Sequence, residues 1–261
     1  MYPTLFYIGS IPIPSFFFIQ IVVGASIATL YGVWLGKRNG LRKDYLLDMA
    51  IIGVFSAFIG GRIFHILVEY PSYYWEDPMR VFYFWRGGFV SYGGFIGIAL
   101  SYGAYFKWRR IDVWKHFDIL STAGPIVKFF TRVGCLLGGC CYGKPTDVSW
   151  AITFTDRSAT AFYYYPNIPL HPTQIYSMIH AALLFVIVNA VYKYRKFDGQ
   201  TTCILGIFWT LPRTVIEAFR ADADRGVYFD GLISTGQITG CAMTLFFILL
   251  YFILKKRAQQ H

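Results

Sequence analysis

Apolar residues are gathered along this chain in long runs, separated by short clusters of polar and basic residues, and do not follow the one-faced period of a surface helix. A hydrocarbon core about 30 Å thick takes about 20 residues of helix to cross. Runs of that length lie at 15–36, 46–70, 88–106, 117–139, 173–192, 203–219 and 234–254, which predicts seven transmembrane helices. The second, fourth and sixth are the least pure, because they hold Arg62, Lys128 with Arg132, and Arg213 with Glu217. The expected fold class is an all-α integral membrane protein, a single domain over 1–261. A small periplasmic head is expected at 140–172, the one long polar insertion. Inside it, 150–154 alternates aromatic and β-branched residues in the manner of a short strand.

Composition agrees with the pattern. With 56% hydrophobic, 20% aromatic and 15% charged residues, the 261-residue chain is too apolar for a soluble domain. Its net charge of +10 is distributed unevenly. Of 24 Lys and Arg, 14 follow the odd-numbered spans (Lys37, Arg38, Arg42, Lys43, Lys107, Arg109, Arg110, Lys115, Lys193, Arg195, Lys196, Lys255, Lys256, Arg257), and six lie in the opposite turns (Arg80, Arg86, Lys144, Arg157, Arg220, Arg225). The positive-inside bias then puts the N-terminus outside and the C-terminus in the cytoplasm, and anionic headgroups account for the basic excess without nucleic acid. No charged region precedes the first span, so it is expected to stay in the mature protein.

The groups capable of chemistry fall on the outer side of this topology. Arg62, Tyr92, Arg132, His171, Gln174, Arg213, Glu217 and Gln237 come from six different spans. A guanidinium inside a membrane costs roughly 3 kcal/mol or more unless an anion or polar groups receive it. Arg62, Arg132 and Arg213 together make an anion site, and at that depth the available anion is a phospholipid phosphate. The alternative for Arg213 is a neutral pair with Glu217 at i, i+4; Arg132 has no acid within a turn. Gly60-Gly61 and Gly93-Gly94 suit close helix contacts, whereas Gly134, Gly138, Gly139 and Gly143 flank a helix end where bare amides can meet an anion. Cys203 and Cys241 read as small packing residues. Cys135, Cys140 and Cys141 face the oxidising side, where a disulfide or thiol chemistry is open to them. A metal is not expected there, since adjacent cysteines are not a usual zinc spacing and His171 is the only nearby imidazole.

These landmarks resemble the prolipoprotein diacylglyceryl transferases, the membrane enzymes of bacterial lipoprotein maturation. The resemblance runs through Gly60-Gly61-Arg62, Gly87-Gly88 to Tyr92-Gly93-Gly94-Phe95-Ile96-Gly97, and Arg132-Val133-Gly134 with Gly143. It continues through His171-Pro172-Thr173-Gln174-Ile175-Tyr176, Arg213 to Arg220, and Ser234-Thr235-Gly236-Gln237-Ile238. It implies a multi-pass protein of the bacterial inner membrane, expected as a monomer, that moves the diacylglyceryl group of phosphatidylglycerol to the lipobox cysteine of a prolipoprotein signal peptide. Arg132 and Arg213 would bind the phosphate and stabilise it as leaving group. Arg62, Gly93, Gly94, Gly134, Gly143, His171, Gln174, Tyr176, Glu217, Arg220 and Gln237 would line the substrate sites, and no cofactor is implied.

Departures from the family pattern concentrate in two places. Where the family has His the chain has Tyr92, and where it has Tyr the chain has His65, so the resemblance implies that His65 would supply the imidazole that Tyr92 cannot, the alternative being an ordinary helix-packing histidine. Cys135 and Cys140 replace an Asn and a Glu of the signature, and Thr131 replaces a Gly. Two other readings therefore stand beside the transferase: a member with a changed acceptor or thiol-based lipid chemistry at Cys140 or Cys141, and a non-enzymatic phospholipid-binding or transport protein.

Overall fold

The computed structural model describes residues 2–9, 11–83, 88–221, 227–228 and 233–260. Two short strands, β1 (Thr4–Ile8) and β2 (Ile11–Pro14), precede the first long helix. That helix comprises α1 (Ser15–Phe17), a π-wound stretch Phe18–Ala25 and α2 (Ser26–Arg38), together an apolar segment of 24 residues. It starts where Pro14 holds an extended backbone and where Ser15 donates both its N–H (2.9 Å) and its hydroxyl (3.2 Å) to the Pro3 carbonyl. It ends with Lys37 and Arg38 in the last turn, where cations complement the carbonyl end of the dipole. Next come α3 (Lys43–Phe64), continued by π-wound His65–Glu69, then α4 (Pro71–Glu76) and α5 (Ser91–Arg109). The remainder holds α6 (Val113–Gly138), β3 (Ile152–Thr153), α7 (Thr160–Tyr164), β4 (Pro169–Leu170), α8 (Thr173–Tyr194), α9 (Gln200–Glu217), β5 (Val227–Tyr228), β6 (Ile233–Ser234) and α10 (Thr235–Ala258).

Five helices among the described residues are long and apolar enough to cross a membrane: Ser15–Arg38, Lys43–Val68, Val113–Gly138, Thr173–Tyr194 and Gly236–Ala258. They match the first, second, fourth, fifth and seventh expected spans to within a few residues. The third and sixth are helical as α5 and α9 but are not among the five. Glycine, tyrosine and serine dilute the first of these, and Arg213 with Glu217 breaks the second. Large apolar side chains on the helices stay uncovered, with Leu30 71%, Leu100 70% and Val186 65% exposed. Such faces suit hydrocarbon as solvent, and with five helices long and apolar enough to cross it they describe a multi-pass membrane protein.

The chain divides into two compact units, one of Met1–Phe6, Ile13–Gly32 and Trp114–His261, the other of Tyr7–Pro12 and Val33–Val113. In the second unit α3 packs along α5 through glycine: a Cβ on Gly60 would lie 2.4 Å from the Gly93 carbonyl oxygen, and one on Gly97 2.4 Å from that of Ser56. In the first, α9 packs against both α8 and α10, and Asp118 of α6 caps its start. Fully buried, Asp118 accepts hydrogen bonds from the Gly199 N–H (2.8 Å), the Thr202 N–H (2.9 Å) and the Thr202 hydroxyl (2.8 Å), with Arg195 at 4.0 Å. Deeper in the same unit Lys128 of α6 lies 3.1 Å from His180 Nδ1 and over the Trp209 ring.

The segment between α6 and α8 has an apolar core of its own, formed by Tyr142, Phe154, Ala159, Ala161 and Leu170. The strand expected at 150–154 is present only as β3, which pairs antiparallel with β4, Ile152 opposite Leu170. Its first half is a turn instead, closed by the Ala151 N–H on the Val148 carbonyl at 3.0 Å.

Candidate active site

The site of the first unit is built on the end of α6. Gly139 follows the helix with φ +65°, its N–H donating to Leu136 O (3.3 Å) while the Cys140 N–H reaches Cys135 O (3.1 Å), the paired bonds of a glycine-terminated helix. The chain then passes Cys141, itself at φ +58°, and enters the segment Tyr142 to Lys144. On one side the Lys144 N–H donates to Phe219 O (2.8 Å) and the Ala221 N–H to Tyr142 O (3.2 Å). On the other, the Gly143 N–H donates to His171 O (3.1 Å) and the His171 N–H to Lys144 O (3.0 Å). Gly143 has no room for a side chain, since a Cβ would lie 2.4 Å from the His171 oxygen and 2.9 Å from that of Phe219. This backbone stitching holds the ends of α6 and α9 and the start of α8 together.

Charge is concentrated at that junction. Glu217, 4% exposed, pairs with Arg213 at 3.3 Å and with Arg220 at 3.5 Å. The i, i+4 pairing weighed from the sequence is therefore present, but one carboxylate serves two guanidiniums. Arg132 differs from both. It makes no hydrogen bond or ion pair among the described residues, its Nε is buried without a partner, and its charge acts on Arg213. Gly236, at the start of α10, faces the Glu217 carboxylate, 3.1 Å from a hypothetical Cβ, and Gln237 is the next residue. Gly134, one turn back on α6, gives passage to the backbone of Phe16 at 2.9 Å from a hypothetical Cβ; it serves helix contact.

Cys135, Cys140 and Cys141 bring their sulfurs within 4.8 Å of one another, and all three are free thiols. Outside the helix, Cys141 is held well below the usual thiol range by hydrogen bonds from the Cys135 and Cys140 thiols and then by the Arg132 and Arg220 guanidiniums. Cys140 is pushed up by its place in the same trio and by burial. Gln174 and Thr173 pin the turn rather than a substrate: Gln174 Nε2 donates to Cys140 O (2.8 Å) and the Thr173 hydroxyl to Cys141 O (2.7 Å). His171 and Tyr176 belong to a relay. Indole N–H only donates, so Trp150 Nε1 donates to the Tyr176 oxygen (2.9 Å), and the Tyr176 hydroxyl shares a further hydrogen bond with His171 Nδ1 (3.1 Å).

In the second unit, Arg62 spends its guanidinium on backbone carbonyls, with Nε on Val81 O (3.3 Å), Nη1 on Gly88 O (3.2 Å) and Nη2 on Arg80 O (2.7 Å). It ties together the backbone at Arg80, Val81 and Gly88. His65 Nδ1 shares a hydrogen bond with the Tyr74 hydroxyl (2.9 Å). With Tyr70 and Tyr73 these residues line a cavity of about 270 Å³. Gly93 and Gly94 meet α3, at 2.4 Å from Gly60 O and 3.1 Å from Ala57 O by their hypothetical Cβ atoms. Gly87 and the side chain of Tyr92 lie outside the described residues.

Sequence reasoning passed over Asp118, His180 and Thr173 as functional positions and noted Lys128 only as a charge inside a span. The available signal was the same for Asp118 and Lys128, an ionisable residue inside an apolar run.

The chain is, as a class, a multi-pass membrane protein whose first unit brings the charges of Arg132 and Arg220 to bear on Arg213 beside Glu217. Comparison with known sequences gives the class its family. The chain belongs to the prolipoprotein diacylglyceryl transferase family, whose model matches residues 3–253. It is 32% identical over 201 residues to the phosphatidylglycerol–prolipoprotein diacylglyceryl transferase of Clostridium tetani, covering 77% of each chain. To the enzyme numbered 2 of Clostridium perfringens it is 32% identical over 242 residues, covering 92% of this chain and 91% of the relative. The Wolbachia pipientis enzyme is 28% identical over 256 residues, 95% of this chain and 93% of its own.

Proposed function

We propose that the protein transfers the diacylglyceryl group of phosphatidylglycerol to the lipobox cysteine thiol of a prolipoprotein. In this reaction the acceptor sulfur, deprotonated, attacks the glyceryl carbon; the C–S bond forms, the C–O bond breaks, and glycerol phosphate leaves with the bonding pair. The observation that carries the reading is Arg132, a partly buried guanidinium with no hydrogen bond or ion pair among the described residues, beside the Arg213–Glu217–Arg220 cluster. Arg132 and Arg213 receive the phosphate, and Glu217 and Arg220 hold Arg213 in place. Gln174, Thr173, His171, Tyr176 and Gly143 shape the loop around it, Gly134 seats the helix, and Gln237 supplies a polar contact. In the second unit Arg62, Gly93 and Gly94 shape the lipid pocket, and the acid–base role goes to His65 over Tyr92, because an imidazole titrates near neutrality and a phenol near 10.

The same reading places seven helices across the bacterial inner membrane as one domain, with the N-terminus and the 140–172 head in the periplasm and the C-terminus in the cytoplasm. The protein acts as a monomer, without nucleic acid. The deciding experiment is complementation of a strain depleted of its own diacylglyceryl transferase, read as lipid attachment to a model prolipoprotein. Attachment that depends on Arg132 supports the proposal; correct membrane insertion without attachment refutes it. A second reading, thiol chemistry on a different acceptor, is favoured by the thiol trio next to Arg132. Alkylation that abolishes turnover of a non-lipobox substrate would establish it in place of the first.

A further inference from the structure

Three side chains of one ligand type converge at the end of α6 with no role in the turn that presents them. Cys135 is 2% exposed and Cys140 and Cys141 are half-buried, yet the turn itself is made by backbone N–H bonds and by Gln174 and Thr173. Cys141 sits at φ +58°, a conformation that side-chain-bearing residues rarely adopt and that places its thiol with the other two.

A disulfide does not use this arrangement well. Adjacent residues have Cα atoms about 3.8 Å apart, below the roughly 4.4–6.8 Å a disulfide spans, so Cys140 and Cys141 do not bridge each other. A bond from Cys135 to either leaves the third thiol over. Thiophilic metal coordination uses all three. Zinc–sulfur bonds of about 2.3 Å put the sulfurs of a tetrahedral centre roughly 3.8 Å apart. From the present limit of 4.8 Å the trio closes by at most about 1 Å. Sulfur ligands exclude the hard cations calcium and magnesium. Three thiolates around a divalent ion carry one net negative charge, and Arg132 and Arg220 act on Cys141 to offset it. Gln174 provides a further sign: fully buried beside Cys140, it has an Oε1 with no donor among the described residues, an acceptor available to the S–H of a thiol arriving at the metal's remaining position.

We propose that Cys135, Cys140 and Cys141 bind one thiophilic divalent cation, zinc by the chemistry of the ligands, and that its open fourth position takes the acceptor thiol. The second half rests on the transfer reaction proposed above. On binding the metal the acceptor's S–H would give up its proton to the acid–base residue of the proposed reaction, and the metal-held thiolate would form the C–S bond as glycerol phosphate leaves with the C–O electrons. This departs from the sequence-based expectation of no metal, which judged spacing along the chain; the left-handed backbone at Gly139 and Cys141 folds that spacing into a cluster.

The test uses the full-length protein in detergent, reduced and stripped with a chelator, titrated with Co²⁺ as probe. One equivalent should bind, with sulfur-to-cobalt charge-transfer absorption and tetrahedral visible bands. Cys135→Ser and Cys140→Ser should weaken binding by more than the roughly 10–100-fold that loss of a supporting residue costs, and Cys241→Ser should not. A cysteine-containing lipobox peptide should shift the visible bands, and its serine counterpart should not. Absence of the bands in the wild type with all its thiols titratable, or isolation of a metal-free protein with Cys135 in a disulfide, overturns the site. Bands indifferent to the thiol peptide overturn the acceptor's place on it. Transfer activity in chelated protein would sink the metal's role in transfer and leave the reaction standing; Co²⁺ binding without any transfer activity would do the reverse.

Discussion

Replacing Arg132 by glutamine separates function from folding. The side chain has no hydrogen bond or ion pair among the described residues and its Nε is buried without a partner, so its loss breaks no such bond there. Stability should change by no more than about 0.5 kcal/mol, the range of substitutions that break nothing. Catalysis should suffer far more. Losing one preorganised donor to a developing oxyanion costs about 10²–10³ in rate, or roughly 2.7–4 kcal/mol. Arg132→Lys keeps the charge but not the planar fork and should recover only part of this. The assay is transfer of labelled diacylglycerol from phosphatidylglycerol vesicles to a prolipoprotein peptide, paired with thermal unfolding of the same preparations. Activity of Arg132→Gln within about threefold of wild type, under 1 kcal/mol in the barrier, refutes the role assigned to Arg132. So does a large fall in Tm, which would make this a structural arginine.

Arg62→Ala should show the opposite profile, because its guanidinium serves three carbonyls: at roughly 1.5–3 kcal/mol per charged hydrogen bond the protein should lose several kcal/mol, visible as a lowered unfolding temperature. Gly143→Ala puts a methyl 2.4 Å from a backbone oxygen that cannot yield, and the 140–172 segment should become protease-sensitive in limited proteolysis. Asp118→Asn replaces one acceptor of a buried three-bond cap by a donor and should cost about 1–3 kcal/mol, with faster amide exchange in the first turn of α9.

Helix positions were legible because hydrocarbon imposes one length rule on every span. The helix 15–38 was expected at 15–36 and the helix Thr173–Tyr194 at 173–192, errors of two residues at ends where tyrosine and basic residues blur the edge. α5 and α9 were legible as helices, but their glycines, tyrosines and charges are what contact between helices requires, so they are not among the segments apolar enough to cross unaided. The strand at 150–154 was expected too long because alternation says nothing about the partner. Only Pro169–Leu170 is there to pair with it.

The site was legible by residue type and illegible by partnership. A membrane arginine announces itself by cost, but whether it meets carbonyls, as Arg62 does, or finds no hydrogen bond among the described residues, as Arg132 does, depends on backbone that turns back from elsewhere. Asp118 and Gly199 are far apart in the chain and meet only because α6 and α9 pack. The thiol trio was hidden for a related reason, since a left-handed residue is invisible to spacing rules.

If Arg132 and Arg213 receive the phosphate as proposed, the arginine pairing also explains why a carboxylate is kept beside them. Three guanidiniums with one carboxylate leave two net positive charges among Arg132, Arg213, Arg220 and Glu217. A phosphodiester lipid brings one negative charge, and the phosphomonoester released from it carries up to about two at neutral pH. Three uncompensated cations would hold the substrate diester strongly without favouring its cleavage, because binding that is equal in ground and transition states does not accelerate the chemical step. Glu217 lowers the charge toward that of the departing group and, by holding Arg213 and Arg220 at 3.3 and 3.5 Å, fixes their donors before the charge develops. On the proposed reading Arg132, which has no hydrogen bond or ion pair among the described residues, then keeps its donors for the phosphate as the C–O bond breaks.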